Sequence, residues 1–362
     1  MSTADAQTRC RLRRGRSETM LVGYCFDPIF LKHEAPGHPE RPERLRAVMA
    51  GLAEEGLLGL LRPIPPAPEP DRDILIAVHD EQYLQWLARL EPESPCFLDA
   101  DNYICRHSGA AAYTAVGAAI ACVEAVVLGE VTCALALVRP PGHHALRRRP
   151  YGFCLLNNVA CGAEYALRRL SLSRIGIVDI DAHHGNGTQA QFYSTDAVLY
   201  ISTHQAKLFP GTGAVTERGE GIGTGYTVNI PVPAGSGDAV LQAAFARVTV
   251  PALEHYRPEL ILVSAGYDAH WRDPLSALTA TLRGFDSLHE TLVELAGSLC
   301  EGRLVFVLEG GYDTDVLRHA ICNLVWLLLG QRERCADPVG SAPRREADDP
   351  SCLDLICREL GF

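Results

Sequence analysis

Lysine is almost missing from this sequence, which contains Lys32 and Lys207 and no other lysine among its 362 residues. Acidic side chains outnumber basic ones, so the formal net charge is −11. Proteins that bind a duplex neutralise its phosphates with clustered lysine and arginine. With no dominant basic tract, we expect no direct nucleic-acid partner, and we expect an acidic surface that weakly attracts cationic substrates.

Long apolar runs and closely paired cysteines are missing as well. No stretch approaches the ~18 uninterrupted apolar residues of a membrane span, and none of the 13 cysteines stands in a C-x-x-C arrangement. An odd number of cysteines without a signal-peptide pattern is typical of reduced thiols. We therefore predict a cytoplasmic protein that does not bind membranes. The oligomeric state stays open, and a homo-oligomer is one of the possibilities.

What the chain does contain is apolar sequence, 47% of all residues, arranged as short β-branched runs that alternate with longer helical patterns. This alternation predicts an α/β domain with a mostly parallel central sheet of about eight strands and helices on both faces. The predicted strands are Leu21–Phe26, Thr132–Val138, Arg174–Ile180, Ala197–Ser202, Tyr226–Ile230, Leu260–Ala265 and Arg303–Leu308. The predicted helices are Pro42–Glu55, Gly109–Leu128, Asn158–Leu170, Asp238–His255, Thr281–Cys300 and Thr314–Leu329. We divide the chain into a disordered extension (1–19), one domain (20–335) and a tail (336–362) with a short helix, Leu353–Leu360.

Polar residues directly follow four of the predicted strands. The residues concerned are His143 and His144, then Asp179, Asp181, His183 and Asn186, then Asp268, and finally Tyr312. Ligand sites in open parallel sheets form at the carboxyl ends of the strands. We therefore expect these side chains to lie together in one active site.

A metal site is the first expectation for this edge. Asp181 and His183 are two residues apart, and alternate side chains of an extended chain point the same way. Asp268 would supply a third ligand from a distant strand, and three protein ligands with an open position are typical of catalytic zinc. The oxygen-rich set also suits iron(II) or cobalt(II). An isolated D-x-H pair more often caps a turn. Here the adjacent histidines and Asp268 accompany the pair, and this combination favours a metal site.

Two adjacent histidines could provide acid and base near neutral pH. His143 and His144 follow a Pro-Pro-Gly turn that would fix their direction. Asp179 could hold the Nδ1 proton of His143, and Asn186 could hold that of His144 without a charge. Unequal partners would separate the two pKa values, which suits one base and one electrostatic helper.

Three aromatic side chains could complete the site. Tyr312 follows Gly310-Gly311, where its phenol could stabilise negative charge on a carbonyl oxygen and the glycines would let the backbone approach substrate. Phe153 and Phe209 lie on glycine-bounded loops and could wall a narrow channel for an alkyl chain. Taken singly, each ring is explained as well by core packing.

Together these residues resemble the arginase-like histone deacetylase superfamily, particularly its class II-like bacterial members and their acetylpolyamine amidohydrolase relatives. The resemblance runs from about Met20 to Gly330. It rests on seven motifs: Gly37-His-Pro-Glu-Arg-Pro-Glu-Arg-Leu45, Arg139-Pro-Pro-Gly-His-His144, Gly152-Phe-Cys-Leu-Leu-Asn157, Val178-Asp-Ile-Asp-Ala-His-His-Gly-Asn186, Phe209-Pro-Gly-Thr-Gly213, Ser264-Ala-Gly-Tyr-Asp268 and Leu308-Glu-Gly-Gly-Tyr312.

The resemblance implies a single arginase/deacetylase-like domain and a zinc-dependent deacylase whose substrate is an acylated lysine or an acetylated small amine. It implies the following roles: zinc ligands Asp181, His183 and Asp268, general base His144, electrostatic or acid partner His143, and transition-state tyrosine Tyr312. It also implies two structural potassium sites. Their residues are Asp179, Asp181, His183, Ser202 and Thr203 for the first, and Phe192, Thr195, Val198 and Tyr226 for the second.

For the substrate tunnel, the resemblance implies Gly152, Phe153, Phe209 and Gly311. Leu275 falls where polyamine-selective members carry glutamate, which favours acyl-lysine. Asp99 or Asp101 would supply an acidic substrate clamp. Asn186 stands where class I members have aspartate, which fits class II.

Three other functions stay open. An acetylpolyamine or other small-molecule amidohydrolase would use the same chemistry behind a different pocket mouth. A two-metal ureohydrolase like arginase is kept open by His270, although His184 follows His183 where a second metal would need an aspartate. A non-catalytic acyl-lysine binder is disfavoured because every catalytic group is retained.

Overall fold

A parallel sheet forms the centre of the computed structural model, which describes residues 21–67, 69–90, 92–343 and 348–361. The strands are β1 (Val22–Cys25), β2 (Arg62–Pro63), β3 (Cys96–Phe97), β4 (Tyr103–Ile104), β5 (Cys133–Ala136), β6 (Ile175–Asp179), β7 (Val198–Gln205), β8 (Thr227–Val232), β9 (Leu260–Ala265) and β10 (Leu304–Leu308). Eight of them form one sheet in the order β2-β1-β5-β10-β9-β6-β7-β8, and each neighbouring pair is parallel. β3 and β4 form a separate antiparallel pair.

The middle strands β6, β9 and β10 are buried along their whole length. Their sequences are rich in Val, Ile and Leu and do not alternate with exposed polar residues, as expected for a parallel sheet covered on both faces. The register aligns Asp179 with Ser264 of β9 and with Ser202 of β7, so the polar segments that follow these strands leave the sheet at one edge. The predicted α/β fold with its parallel sheet is confirmed.

Helices cover this sheet and pack in neighbouring pairs: Glu43–Glu54 with Thr314–Leu328, Ser108–Val127 with Asn158–Arg168, and Leu282–Leu299 with Thr314–Leu328. The helices are α1 (Glu43–Glu54), α2 (Arg72–Val78), α3 (Glu81–Ala88), α4 (Ser108–Val127), α5 (Asn158–Arg168), α6 (Asn186–Phe192), α7 (Asp238–Ala244), α8 (Val250–Tyr256), α9 (Leu282–Leu299), α10 (Thr314–Leu328) and α11 (Leu353–Leu360). Short 3₁₀ turns cover Pro28–Lys32, Leu57–Gly59, Gly221–Gly223, Arg332–Arg334 and Pro350–Cys352.

One predicted helix is interrupted. The segment Asp238–His255, predicted as a single helix, consists of α7, a π-helical turn at Phe245–Thr249, and α8. Pro251 has no backbone N–H to donate to the carbonyl four residues earlier, and such a gap is a common cause of a wider turn. The short helices α2, α3 and α6 were not predicted, because seven or eight residues show the helical period poorly.

The C-terminal segment packs against the domain. The predicted extension, residues 1–19, lies outside the described residues. Near the other end, the Asp348 carboxylate accepts the N–H groups of Gly237 and Val240, each at 2.9 Å. Leu353 and Leu360 of α11 are buried in the core. The predicted short helix is therefore present and packs against the domain, while the division of the chain at residue 335 stays a prediction.

Helix α4 is long and apolar enough, by composition alone, to cross a membrane. Its most apolar window is 72% buried inside the protein. It packs against α5 and the strands β1 and β5, so its apolar surface is used in the core of the domain.

We predict that Gly117→Ala destabilises the fold. A Cβ added at Gly117 in α4 would lie 1.7 Å from the Ala67 carbonyl oxygen, and relieving such a clash costs about 1–3 kcal/mol. Gly297→Ala in α9 is the matched control, because nothing lies within 4 Å of its added Cβ. It should stabilise the protein by about 0.5–1 kcal/mol. Urea denaturation measures both, and equal midpoints for the two variants would contradict the predicted contact.

Candidate active site

Three buried side chains converge at the carboxyl ends of β6 and β9. Asp181 and His183 come from the segment after β6, and Asp268 comes from the segment after β9. Their ligand atoms all lie within 4.8 Å of one another. His183 Nδ1 lies 2.8 Å from Asp268 Oδ2 and 3.1 Å from Asp181 Oδ1. The structure thus brings together the three residues that the sequence predicts as metal ligands.

The chemistry of this donor set fits a divalent cation. Within the described ranges, neither carboxylate forms an ion pair with arginine or lysine; their partners are histidines. Burial and the neighbouring Asp181 carboxylate raise the pKa of Asp268 to about 6, a repulsion that a bound cation would relieve. A Cβ at Gly310 would lie 2.5 Å from an oxygen of each carboxylate, so glycine leaves room for this cluster. Three such ligands can hold a metal and leave a position open for substrate.

The two adjacent histidines face this cluster with unequal partners, as predicted. His143 Nδ1 lies 3.1 Å from Asp179 Oδ2, and His144 Nδ1 lies 2.8 Å from Asn186 Oδ1. Burial lowers the pKa of His143, but the carboxylates of Asp179, Asp181 and Glu309 outweigh it and raise that pKa to about 10. Burial and the neighbouring His143 hold the pKa of His144 well below its usual value.

A buried carboxylate that sequence reasoning missed lies behind this pair. Glu309 Oε2 accepts the backbone N–H of Gly142 at 2.6 Å and that of His143 at 3.1 Å. Burial raises the pKa of Glu309 to about 7. The carboxylate therefore fixes the backbone from which both histidines project. Its position directly after β10, beside the Gly-Gly-Tyr motif, was the available signal.

Tyr312 is held from two sides by residues that were also missed. Asp273 Oδ2 accepts the backbone N–H of Tyr312 at 2.6 Å, and the guanidinium carbon of Arg44 lies 4.9 Å from the Tyr312 ring centroid. Arg44 also donates to the Gly311 carbonyl at 2.6 Å. Burial keeps the pKa of Tyr312 well above its ordinary value, so its phenol remains a hydrogen-bond donor.

The Arg44 guanidinium belongs to a buried ion network. Glu40 accepts hydrogen bonds from Arg44 at 3.0 Å and from Arg139 Nη2 at 2.8 Å, and all three side chains are fully buried. Arg139 also donates to the carbonyls of Phe30 and His33. The network joins the N-terminal Gly-His-Pro-Glu-Arg motif to the strand ends, which the sequence pattern alone did not reveal.

A narrow cavity of about 210 Å³ opens over these groups. Its lining is Asp101, His144, Gly152, Phe153, His183, Leu208, Phe209, Leu275 and Tyr312. A Cβ at Gly152 would lie 2.5 Å from the His144 ring and 2.8 Å from the Phe209 ring, so only glycine fits between them. Phe153 contacts Tyr312 edge to face, with ring centroids 5.7 Å apart.

Asp99 and Asp101, the two candidates for a substrate clamp, differ in whether they line this cavity. Asp101 lines the cavity, whereas Asp99 does not. The carboxylate of Asp99 instead caps its own turn, accepting the N–H groups of Asp101 and Asn102 at 2.9 and 2.7 Å. The structure therefore places Asp101 and not Asp99 in the lining of this cavity, and the role of either carboxylate as a substrate clamp stays a prediction.

The residues predicted for a first potassium site lie next to the metal cluster. Asp179 pairs in register with Ser202, and Thr203 follows on β7; all three are buried. Ser202 Oγ lies 2.8 Å from His204 Nδ1, and Asp179 Oδ2 accepts the hydroxyl of Tyr200 at 2.9 Å. Potassium binding here stays a prediction.

The residues predicted for a second potassium site lie around the start of β7. The Thr195 N–H donates to the Phe192 carbonyl at 3.3 Å, and Val198 begins β7 three residues later. The Tyr226 carbonyl accepts the N–H of Tyr200 on the neighbouring strand at 2.9 Å. This site, too, stays a prediction.

A family model described as the histone deacetylase domain matches residues 38–328, so the chain belongs to the histone deacetylase family. This membership, together with the deacetylase and amidohydrolase relatives, makes the chain a hydrolase that acts on amide bonds.

Relatives and a solved structure agree with this assignment. A probable deacetylase of Archaeoglobus fulgidus is 43% identical over 305 residues, which cover 82% of each chain. A histone deacetylase-like amidohydrolase of Pseudomonas aeruginosa is 38% identical over 309 residues, 84% of this chain and 80% of the relative. The crystal structure of the HDA15 HD domain matches with a TM-score of 0.84 and 34% identity over 95% of both chains.

We predict that Asp268→Asn abolishes retention of a divalent metal. The wild-type protein should hold one equivalent after zinc loading and dialysis, and its melting temperature should rise with the metal. Metal content by mass spectrometry and a thermal melt provide two independent measurements.

Cys154→Ser is the matched control for that experiment. Cys154, His143 and Glu309 form the other candidate ligand group among the described residues. The control should retain its metal. If Cys154→Ser lost the metal and Asp268→Asn retained it, the ion would lie in the group of His143, Cys154 and Glu309, and the prediction would be wrong.

Proposed function

We propose that the protein is a zinc-dependent deacylase that removes acetyl or other acyl groups from the ε-amine of lysine in proteins or peptides. The observation that carries this proposal is the cluster of Asp181, His183 and Asp268, because His183 of that cluster lines a cavity that His144 and Tyr312 also line. Zinc on these three ligands would supply Lewis acidity toward an amide carbonyl and a water molecule.

The histidines would move the protons. His144 has Nδ1 engaged by Asn186, so its Nε2 is the atom that can accept a proton from the attacking water. Its lowered pKa favours the neutral form that a base requires. His143, held at Nδ1 by Asp179, would keep a positive charge beside the site and donate a proton to the departing amine.

The remaining groups would position and stabilise the substrate. The phenol of Tyr312 would donate a hydrogen bond to the carbonyl oxygen as negative charge develops there. Phe153 and Phe209 line the cavity, and their rings offer apolar walls to an extended alkyl chain. A volume of about 210 Å³ suits a single extended side chain.

A small acetylated polyamine is the alternative substrate, because the Asp101 carboxylate at the rim could attract a second amine. Leu275 in the same lining is apolar and favours acyl-lysine. A two-metal ureohydrolase has less support. His184 has both ring nitrogens occupied, by Thr212 at 2.7 Å and Gln189 at 3.0 Å, so it does not face the metal ligands.

We predict that Tyr312→Phe lowers kcat by about 10²- to 10³-fold, because one donor to the developing oxyanion is lost. Metal content should be unchanged. The measurement is turnover of a panel of acyl-lysine peptides and acetylpolyamines by the zinc-loaded enzyme. Tyr113→Phe, which removes a hydroxyl that donates to Leu84 outside the site, is the control. Undiminished turnover in Tyr312→Phe would remove the phenol from the mechanism.

We predict that Leu275→Glu shifts the preference toward acetylpolyamines. A carboxylate at this wall would attract the additional ammonium groups of a polyamine, and the acetylated end of the polyamine is neutral and would not be repelled. The expected change is about tenfold in the ratio of kcat/KM for acetylpolyamine to that for acetyl-lysine peptide, weakening as salt rises. Leu275→Gln matches the size without the charge, and an equal shift in that variant would refute the electrostatic cause.

A further inference from the structure

A second, larger depression lies beside the catalytic cavity. Its volume is about 650 Å³, within the range of roughly 300–1,000 Å³ that is usual for ligand sites. Trp86 of helix α3 and Leu98 of the following loop contribute exposed apolar surface, each 38% exposed. Arg149 and Pro150 also line the depression. We call this depression the flank groove.

Two loops connect the flank groove to the catalytic cavity. Asp99 lines the groove and Asp101 lines the cavity. In the same way, Pro150 lines the groove and Gly152 lines the cavity. Two residues of extended chain span at most about 7 Å. A polypeptide with one side chain in the cavity can therefore lay residues within about three positions of it into the groove.

The groove has a rigid aromatic floor. The Trp86 ring stacks on Tyr83, with centroids 5.5 Å apart and an interplanar angle of 26°. Tyr83 itself is buried and donates its hydroxyl to the Leu155 carbonyl at 2.6 Å. A tryptophan held in this way loses little freedom on binding, and exposed tryptophan is enriched among residues that dominate binding energy.

The groove also offers an exposed cation, Arg149, which forms no ion pair among the described residues and interacts with the Asp99 carboxylate only at longer range. Arg148 pairs with Asp80 at 3.2 Å, and the Asp99 oxygens are used by backbone N–H groups of the loop. Arg149 is exposed, and its guanidinium lies over the Tyr151 ring at 4.9 Å. Tyr151 in turn packs on Phe209, with centroids 4.9 Å apart. The charge is therefore held beside the wall of the catalytic cavity.

We infer that the flank groove binds the polypeptide that flanks an acylated lysine, with a large apolar side chain on Trp86 and a carboxylate at Arg149. This inference rests on the proposed deacylase function and specifies its substrate class. An acetylpolyamine has no flanking residues and an excess of positive charge, so it would gain nothing from this surface. The groove makes a polypeptide the preferred substrate.

The experiment compares a doubly capped acetyl-lysine with peptides that carry Phe and Glu within three positions of the acetyl-lysine on either side. A third set has Lys in place of Glu. The zinc-loaded full chain is assayed as wild type, Trp86→Ala, Arg149→Glu and Arg149→Gln. Ile222→Ala and Arg62→Glu are matched controls, because both positions are exposed and line neither cavity.

We expect the best Phe/Glu peptide to exceed capped acetyl-lysine roughly tenfold in kcat/KM, mainly through KM. Trp86→Ala should reduce that ratio about five- to tenfold, the usual cost of truncating a central aromatic contact. Arg149→Glu should reverse the preference between Glu and Lys peptides, and Arg149→Gln should abolish it. A wild-type protein that shows no preference for the flanking residues would overturn the inference, and so would a preference that all three groove variants retain.

Binding without turnover separates this inference from the proposed function. A fluorescent Phe/Glu peptide is titrated into zinc-loaded Tyr312→Phe protein, and anisotropy gives its Kd. If the wild type hydrolyses no peptide, the proposed function fails. The groove is then judged by the Kd alone: an increase of about tenfold on adding Trp86→Ala supports it, and an unchanged Kd rejects it.

Discussion

The burial of two carboxylates against one imidazole is the interaction on which the rest of this structure depends. Asp181, Asp268 and His183 lie within contact of each other with little access to solvent. Burying like charges is costly unless hydrogen bonds and a counter-charge compensate. The N–H groups of Ala182 and Gly310 each donate to one carboxylate at 2.8 Å, and the donor set supplies the geometry for a cation.

Two further buried carboxylates, Glu309 and Asp273, each accept a hydrogen bond from the backbone of a residue assigned to the site. Glu309 accepts the N–H of His143, and Asp273 accepts the N–H of Tyr312. In each case the carboxylate fixes the backbone of a residue assigned to the site. Because backbone position sets side-chain direction, these groups orient the site without entering it. Such orientation lets the hydrogen-bond donors keep their places as charge develops on the substrate.

Much of the site could be predicted because its signals are local. Asp181 and His183 are two residues apart after a buried strand, and His143 and His144 follow a Pro-Pro-Gly turn; backbone geometry alone limits where such side chains point. Asp273 shows no such pattern, since a single acidic residue in a loop can cap a turn or face solvent. For the same reason the sequence could not decide between Asp99 and Asp101, which lie two residues apart on an irregular loop.

Sequence by itself determined the order along the chain of the longer helices and of seven strands of the sheet, the parallel character of that sheet, and the residues that stand at the strand ends. These follow from apolar periodicity and from the few conformations open to each short segment. Only the tertiary structure decided which distant residues meet. The contacts of Ala182 with Asp268 and of Arg44 with Gly311 join positions far apart in the chain. Such contacts depend on how the whole sheet and its helices pack, and no local spacing encodes that packing.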